Sequence, residues 1–182
     1  MPPRGKKPPP IPRRPGQEVR QEISGPQELL IGRAVVVWSR LEQAIEEVIW
    51  AFLRISVEDG RIITARLDAK YRLNMLRALG EKHMDKESFS VLSDLIKRIN
   101  DLYERRNLIV HGIWVTILPE GVPAVLSLRE KLPDDANRNE VMTTLMPSQD
   151  MNGVIDHIML VTNLLIRYRE IAESPDKHVP PP

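Results

Sequence analysis

Cysteine is absent from the 182 residues, which excludes disulfides and thiolate chemistry and is compatible with a reducing compartment. Aromatic residues make up only 4%, which suits a helical bundle packed with Leu, Ile and Val better than a β-sandwich. Proline is missing between Pro26 and Pro119, so nothing in that half of the chain breaks a helix. No apolar run reaches bilayer-spanning length, because Arg33, Arg40 and Glu42 interrupt the most apolar helix. The charges at the N-terminus are not followed by an apolar core, so no secretory signal is expected and a cytoplasmic, non-membrane protein is the default. No pair of His or acidic residues has convincing metal spacing, and neither a metal nor an organic cofactor is expected.

What is present is ordinary for a globular chain, with 42% hydrophobic and 28% charged residues. The length predicts one domain able to bury a real core. Charge is unevenly placed. Residues 1–17 hold Arg4, Lys6, Lys7, Arg13 and Arg14 and no acid, which leaves −4 on the rest of a chain whose total is +1. A mildly acidic body is not a broad nucleic-acid-binding surface, so RNA contact would have to come from a local site, the tail, or a groove between two chains.

Seven of the sixteen prolines fall in residues 1–17, so residues 1–23 are expected to form a disordered Pro-rich basic tail of polyproline character. Pro9-Pro10-Ile11-Pro12-Arg13-Arg14 fits a PxxPxR docking pattern, but a solvated arm is the better reading. A first helix is predicted from Ser24-Gly25-Pro26 through Leu29, Leu30, Ala34, Val37, Trp38, Leu41, Ile45, Val48, Ile49, Phe52 and Leu53. It is apolar on more than one face, as a helix covered by its own bundle and by a partner would be. Glu58-Asp59-Gly60 reads as a turn, followed by a second helical region expected to run to Leu79 and stop at Gly80, with Asp68 capping a restart within it. Lys70, Arg72 and Arg77 read as solvated charge, and His83 as surface.

The third helix is predicted over residues 87–111, with Phe89, Leu92, Leu95, Ile96, Ile99 and Leu102 facing inward. After Gly112 the pattern turns β-branched and aromatic, and residues 113–129 read as a small β-hairpin laid over the bundle. Residues 131–147 read as mostly loop. A last helix capped by Ser148-Gln149-Asp150 buries Val154, Ile155, Ile158, Val161, Leu164 and Leu165, with His157 exposed or satisfied within it. Residues 174–182 form a second Pro-rich tail.

The end of the third helix concentrates the candidate chemistry in Arg105-Arg106-Asn107-Leu108-Ile109-Val110-His111-Gly112. Asn107 and His111 are i and i+4 and share a helix face. Arg106 lies about 140° round from His111, but its long side chain can swing toward that face. Gly112 suits an αL helix stop, which would put His111 in the last turn beside the negative end of the helix dipole. A guanidinium fork, an amide and an imidazole together can handle a phosphate. A purely structural reading also exists: Arg105 or Arg106 could pair with Glu104 or Asp101 on the helix surface, and His111 could complete the cap.

Arg106-Asn107-x-x-x-His111 resembles the signature of the HEPN superfamily, in which Arg and a polar residue precede His by four to six positions. Residues 24–173, with four long helices and the motif closing the third, are similar to such a domain; the hairpin is an elaboration. The resemblance implies an all-α, antiparallel four-helix up-and-down bundle with a hairpin between the third and fourth helices. It further implies a metal-independent endoribonuclease, of the kind found among toxins and anti-phage defence components, and a homodimer in which two Arg/Asn/His motifs meet. On that reading Arg106, Asn107 and His111 are catalytic, Arg105 and Arg106 bind RNA phosphate, and either arginine could be the principal one. Partners would be RNA, a second copy, and an antitoxin or enzyme partner. Some HEPN-like domains are instead non-catalytic interaction or nucleotide-binding modules, and a plain helical scaffold would make the trio coincidental.

Overall fold

A computed structural model describes residues 19–20, 23–117, 122–130 and 141–173. The chain runs β1 (Val19–Arg20), α1 (Gly25–Leu53), α2 (Val57–Thr64), α3 (Ala69–His83), α4 (Lys86–His111), β2 (Ile113–Ile117), β3 (Val122–Glu130), β4 (Val141–Pro147) and α5 (Ser148–Glu173). It is mostly helical. The tail readings for residues 1–18 and 174–182, and the loop reading for 131–140, lie outside the described residues. Among the described residues, no helix is long and apolar enough to cross a membrane.

The helices form where their boundary chemistry says they should. Pro26 sits in the first turn of α1, where its missing N–H costs nothing. The Ser24 N–H donates to Gln27 Oε1 at 2.6 Å. Asp68 caps α3 by accepting from the Tyr71 N–H, and Asp85 caps α4 by accepting from the Glu87 and Ser88 N–H groups. The hydrogen bonds from Ser88 and Glu87 favour the charged carboxylate and hold Asp85 below its ordinary value.

The 29-residue α1 is the central element: it packs against α5, α3 and α4, while α4 packs in turn against α3 and α5. Its buried stripe is Ala34, Val37, Trp38, Leu41, Ala44, Ile45, Val48 and Ile49, at the three- and four-residue spacing of one helix face. Leu92, Leu95, Ile96, Ile99 and Ile109 of α4, and Met151, Val154, Ile155, Ile158 and Leu165 of α5, close on that stripe. Each such side chain contributes about 1.5–3 kcal/mol on burial. Leu29, Val35 and Val36 remain exposed on α1.

Several boundaries differ from the sequence reading, and two of them turn on glycine. Glu58-Asp59-Gly60 is not a turn; it lies inside α2, whose N-cap is Ser56. Gly60 is there because the Trp50 indole lies against it: a Cβ would come within 2.5–2.6 Å of three ring atoms. Gly80 likewise does not end α3, which continues to His83; a Cβ there would meet Leu92 Cδ2 at 2.5 Å. Both glycines permit close packing of helices. The actual left-handed stop falls on Arg54 at the end of α1, with φ 55° and ψ 42°. Its N–H closes onto the Ala51 and Trp50 carbonyls, which offsets an αL cost of about 1–2 kcal/mol.

The sheet is also larger than a hairpin. Four antiparallel strands lie in the order β1-β2-β3-β4, with β2 and β3 in register from Ile113↔Leu126 to Ile117↔Val122. Val19 and Arg20, read as part of the N-terminal tail, pair instead with Ile117 and Thr116. Residues 141–147, read as mostly loop, form β4 against β3 from Ala124↔Pro147 to Glu130↔Val141. Val141, Thr143 and Thr144 favour a strand once a partner edge is available.

Arg72 departs from the solvated reading as well. Its Nη2 reaches Glu46 Oε1 at 3.0 Å and donates to the Thr64 carbonyl at 3.3 Å, with the Arg72 and Glu46 side chains only 15% and 18% exposed. It ties α3 to α1 and α2. His83 is exposed, as the sequence predicts, and stacks on Phe52 with 6.0 Å between ring centroids.

Candidate functional site

The four candidate residues occupy the last two turns of α4, and that end is fixed from both sides. Ile109 is fully buried within the core. Trp114, at the start of β2, is also buried and donates its indole N–H to the Ile109 carbonyl at 3.0 Å. This satisfies one of the carbonyls a helix end leaves without an internal partner. The Gly112 N–H returns to the Leu108 carbonyl at 2.8 Å, but Gly112 is extended (φ −72°, ψ 165°), not αL. The extended conformation carries the chain straight into β2, so glycine's left-handed freedom is unused here. His111 does occupy the last helical turn, and its side chain is exposed.

Arg106 is the least ordinary residue of the group. Its guanidinium carbon lies 5.6 Å from the centroid of the Trp38 ring of α1, within cation–π range. Its Nη1 donates to the Asn107 Oδ1 at 3.0 Å. Its Nε is buried and makes no hydrogen bond among the described residues, as is also true of Arg72 and Arg169. Arg106 has no carboxylate partner among the described residues, unlike the other half-buried arginines: Arg72 pairs with Glu46, and Arg169 with Glu47 at 2.8 Å and Glu173 at 3.3 Å. The cation of Arg106 is therefore held by two neutral groups, an aromatic face and an amide. Among the described residues its charge meets no carboxylate, which leaves it available to an external anion.

The structure joins Arg106 to Asn107 by a hydrogen bond and sets His111 one turn beyond Asn107 on the same face of α4. Among the described residues no hydrogen bond joins His111 to Asn107 or Arg106. Arg105 is exposed on another face of the helix and makes no hydrogen bond or ion pair among the described residues. Among the described residues no ion pair joins Arg106 to Asp101. The two arginines thus differ in kind: Arg106 is held by Trp38 and Asn107, and Arg105 is an exposed charge with no ion pair among the described residues. No group of three or more potential metal ligands occurs among the described residues.

Two further residues complete the neighbourhood, and sequence reasoning placed neither in it. Trp38 reads as core from its stripe, and at 2% exposure it is core; its second role as the support of Arg106 depends on α1 packing against α4. Tyr103 lies one turn before Asn107, and its ring centroid is 5.6 Å from that of Trp38, tilted by 53°. No local pattern signals either contact.

The support of Arg106 has a measurable consequence. Arg106→Met removes a half-buried cation that has no counter-ion among the described residues, and methionine still packs on the Trp38 face; chemical denaturation should place it within about 1 kcal/mol of the unaltered protein. Arg72→Met, which strands the partly buried Glu46, should cost about 2–3 kcal/mol. Equal losses for the two would contradict this contrast.

No family model, curated protein or solved structure matches this chain.

Proposed function

We propose that this protein is a metal-independent endoribonuclease of the HEPN type, with Arg106 and His111 as its acting groups and a homodimer of four-helix bundles as its working form. The observation that carries the reading is the Arg106 guanidinium, held over Trp38 and by Asn107 with no carboxylate among the described residues to neutralise it. Stability alone gives no reason to keep such a cation, because an uncompensated charge near the interior is costly. A phosphate supplied by a substrate would be its counter-ion.

The chemistry follows from the residue types. His111 accepts the proton of a ribose 2′-OH, and the 2′ oxygen attacks the adjacent phosphorus. The O5′ bond breaks, leaving a 2′,3′-cyclic phosphate on one fragment and a 5′-hydroxyl on the other. Arg106 stabilises the charge that develops on the non-bridging oxygens. Asn107 acts through Arg106, fixing the fork's orientation. Arg105 adds positive charge near the strand. Because Arg106 and His111 diverge around one helix, two copies meeting about a two-fold axis supply a second imidazole to protonate the leaving oxygen. The same meeting doubles the local positive charge, which a body of net −4 outside its basic tail otherwise lacks. A toxin or defence role, neutralised by an antitoxin, is the setting the resemblance suggests.

The second reading is a non-catalytic interaction or nucleotide-binding module beside an enzyme partner. It is favoured by the acidic body and by the occupation of one Arg106 nitrogen by Asn107. End-group analysis separates the two. The nuclease reading expects end-labelled structured RNA to be cut in excess EDTA into fragments with cyclic-phosphate and 5′-hydroxyl ends. Binding without cutting, by a demonstrated dimer, selects the module.

A further inference from the structure

We propose that Tyr103 is a nucleobase platform for the strand that reaches Arg106 and His111, so that the site selects RNA with an unpaired nucleotide near the scissile phosphate. The proposal rests on the ribonuclease reading above. Tyr103, Asn107 and His111 follow one another at four-residue intervals on α4, and so line one face of that helix. From Tyr103 to His111 is about 12 Å along the axis, at 1.5 Å rise per residue, a length a few nucleotides of strand can cover.

The ring is both reachable and held. Tyr103 is 37% exposed, whereas the Trp38 beneath it is 2% exposed and cannot meet a ligand. Trp38 touches both Tyr103 and Arg106, each at 5.6 Å, so one buried indole sets the positions of the aromatic surface and of the cation. The Tyr103 hydroxyl makes no hydrogen bond among the described residues, which leaves the ring as its useful part. The electrostatics favour such a platform. With net −4 outside the basic tail, phosphate contacts bring little general affinity, and stacking on an aromatic face is the sequence-tolerant alternative. A duplex keeps its bases stacked on one another and must unpair before it can offer one.

The test measures binding separately from cutting. Full-length His111→Ala protein is titrated in EDTA with a short labelled single-stranded RNA, and with the same sequence annealed as a blunt duplex. Adding Tyr103→Ala should weaken single-strand binding about 5- to 150-fold, while Tyr103→Phe keeps it within about twofold and the duplex is indifferent to both. In the otherwise unaltered enzyme Tyr103→Ala should raise KM and leave kcat. Unchanged single-strand affinity in Tyr103→Ala overturns the platform, as does an equal loss in Tyr103→Phe. A changed dimer mass in Tyr103→Ala also overturns it, since the residue would then be holding two copies together. If the unaltered protein neither binds nor cuts any RNA, the ribonuclease reading fails and takes the platform with it; if it cuts and Tyr103→Ala matches it, only the platform fails.

Discussion

His111→Ala should slow RNA cleavage by about 10²–10⁴-fold, the range expected for loss of a general acid or base, with almost no change in stability. The side chain is exposed, and surface positions of that kind shift stability by about 0.5 kcal/mol or less. α4 keeps its end without it, because Gly112 closes onto Leu108 and Trp114 onto Ile109. Arg106→Ala should cost a comparable factor, about 10²–10³, by removing the group proposed to meet developing phosphate charge. Arg106→Lys should recover little of it, since a point charge reproduces neither the fork to Asn107 nor the flat contact on Trp38. Rates measured beside thermal melts check all three variants. A His111→Ala protein that cuts at the unaltered rate removes the residue from the mechanism.

Gly60→Ala and Gly153→Ala should shift stability in opposite directions. Both glycines are helical, so alanine brings each about 1 kcal/mol of helix propensity. Gly153, in α5, is exposed and nothing lies within 4 Å of a Cβ there, so the gain is realised. At Gly60 the added carbon would sit 2.5–2.6 Å from three atoms of the Trp50 ring, a rigid group that is itself 6% exposed. Either α2 or the indole must move, at about 1–3 kcal/mol of overpacking, which outweighs the propensity gain. A melting temperature several degrees lower for Gly60→Ala and a few degrees higher for Gly153→Ala is the expected pair. A rise in both would mean that α2 is free to slide off Trp50.

The same glycines show what was legible in the sequence. Apolar periodicity located the long helices, because burial on one face writes itself into spacing: the Ala34 to Ile49 stripe is buried as its pattern predicts. Caps that act through a single local hydrogen bond, such as Asp68, were equally readable. Glycine was not, since a residue that permits a turn also permits close approach, and the two differ only in what lies across the gap. Gly60 reads as part of a turn and Gly80 as a helix stop, and the Trp50 ring and Leu92 explain them otherwise. The strand β4 escaped because its partner is β3, supplied by another part of the chain, while the adjacent turn-rich residues dominated the local signal. The site divides the same way. Arg106, Asn107 and His111 were visible as a short spacing, whereas the contacts that set Arg106 apart from Arg105 come from Trp38 on α1. Arg72, read as solvated, is a strut for the same reason: Glu46 lies on another helix.

Arg106 and His111 are proposed to cut RNA without a metal. The most direct measurement compares cleavage of end-labelled structured RNA in excess EDTA by the unaltered protein, Arg106→Ala and His111→Ala, each at matched dimer mass and fold content. Cleavage by the unaltered protein that is lost in both variants is the predicted result. Cleavage that persists equally in all three would contradict the assignment.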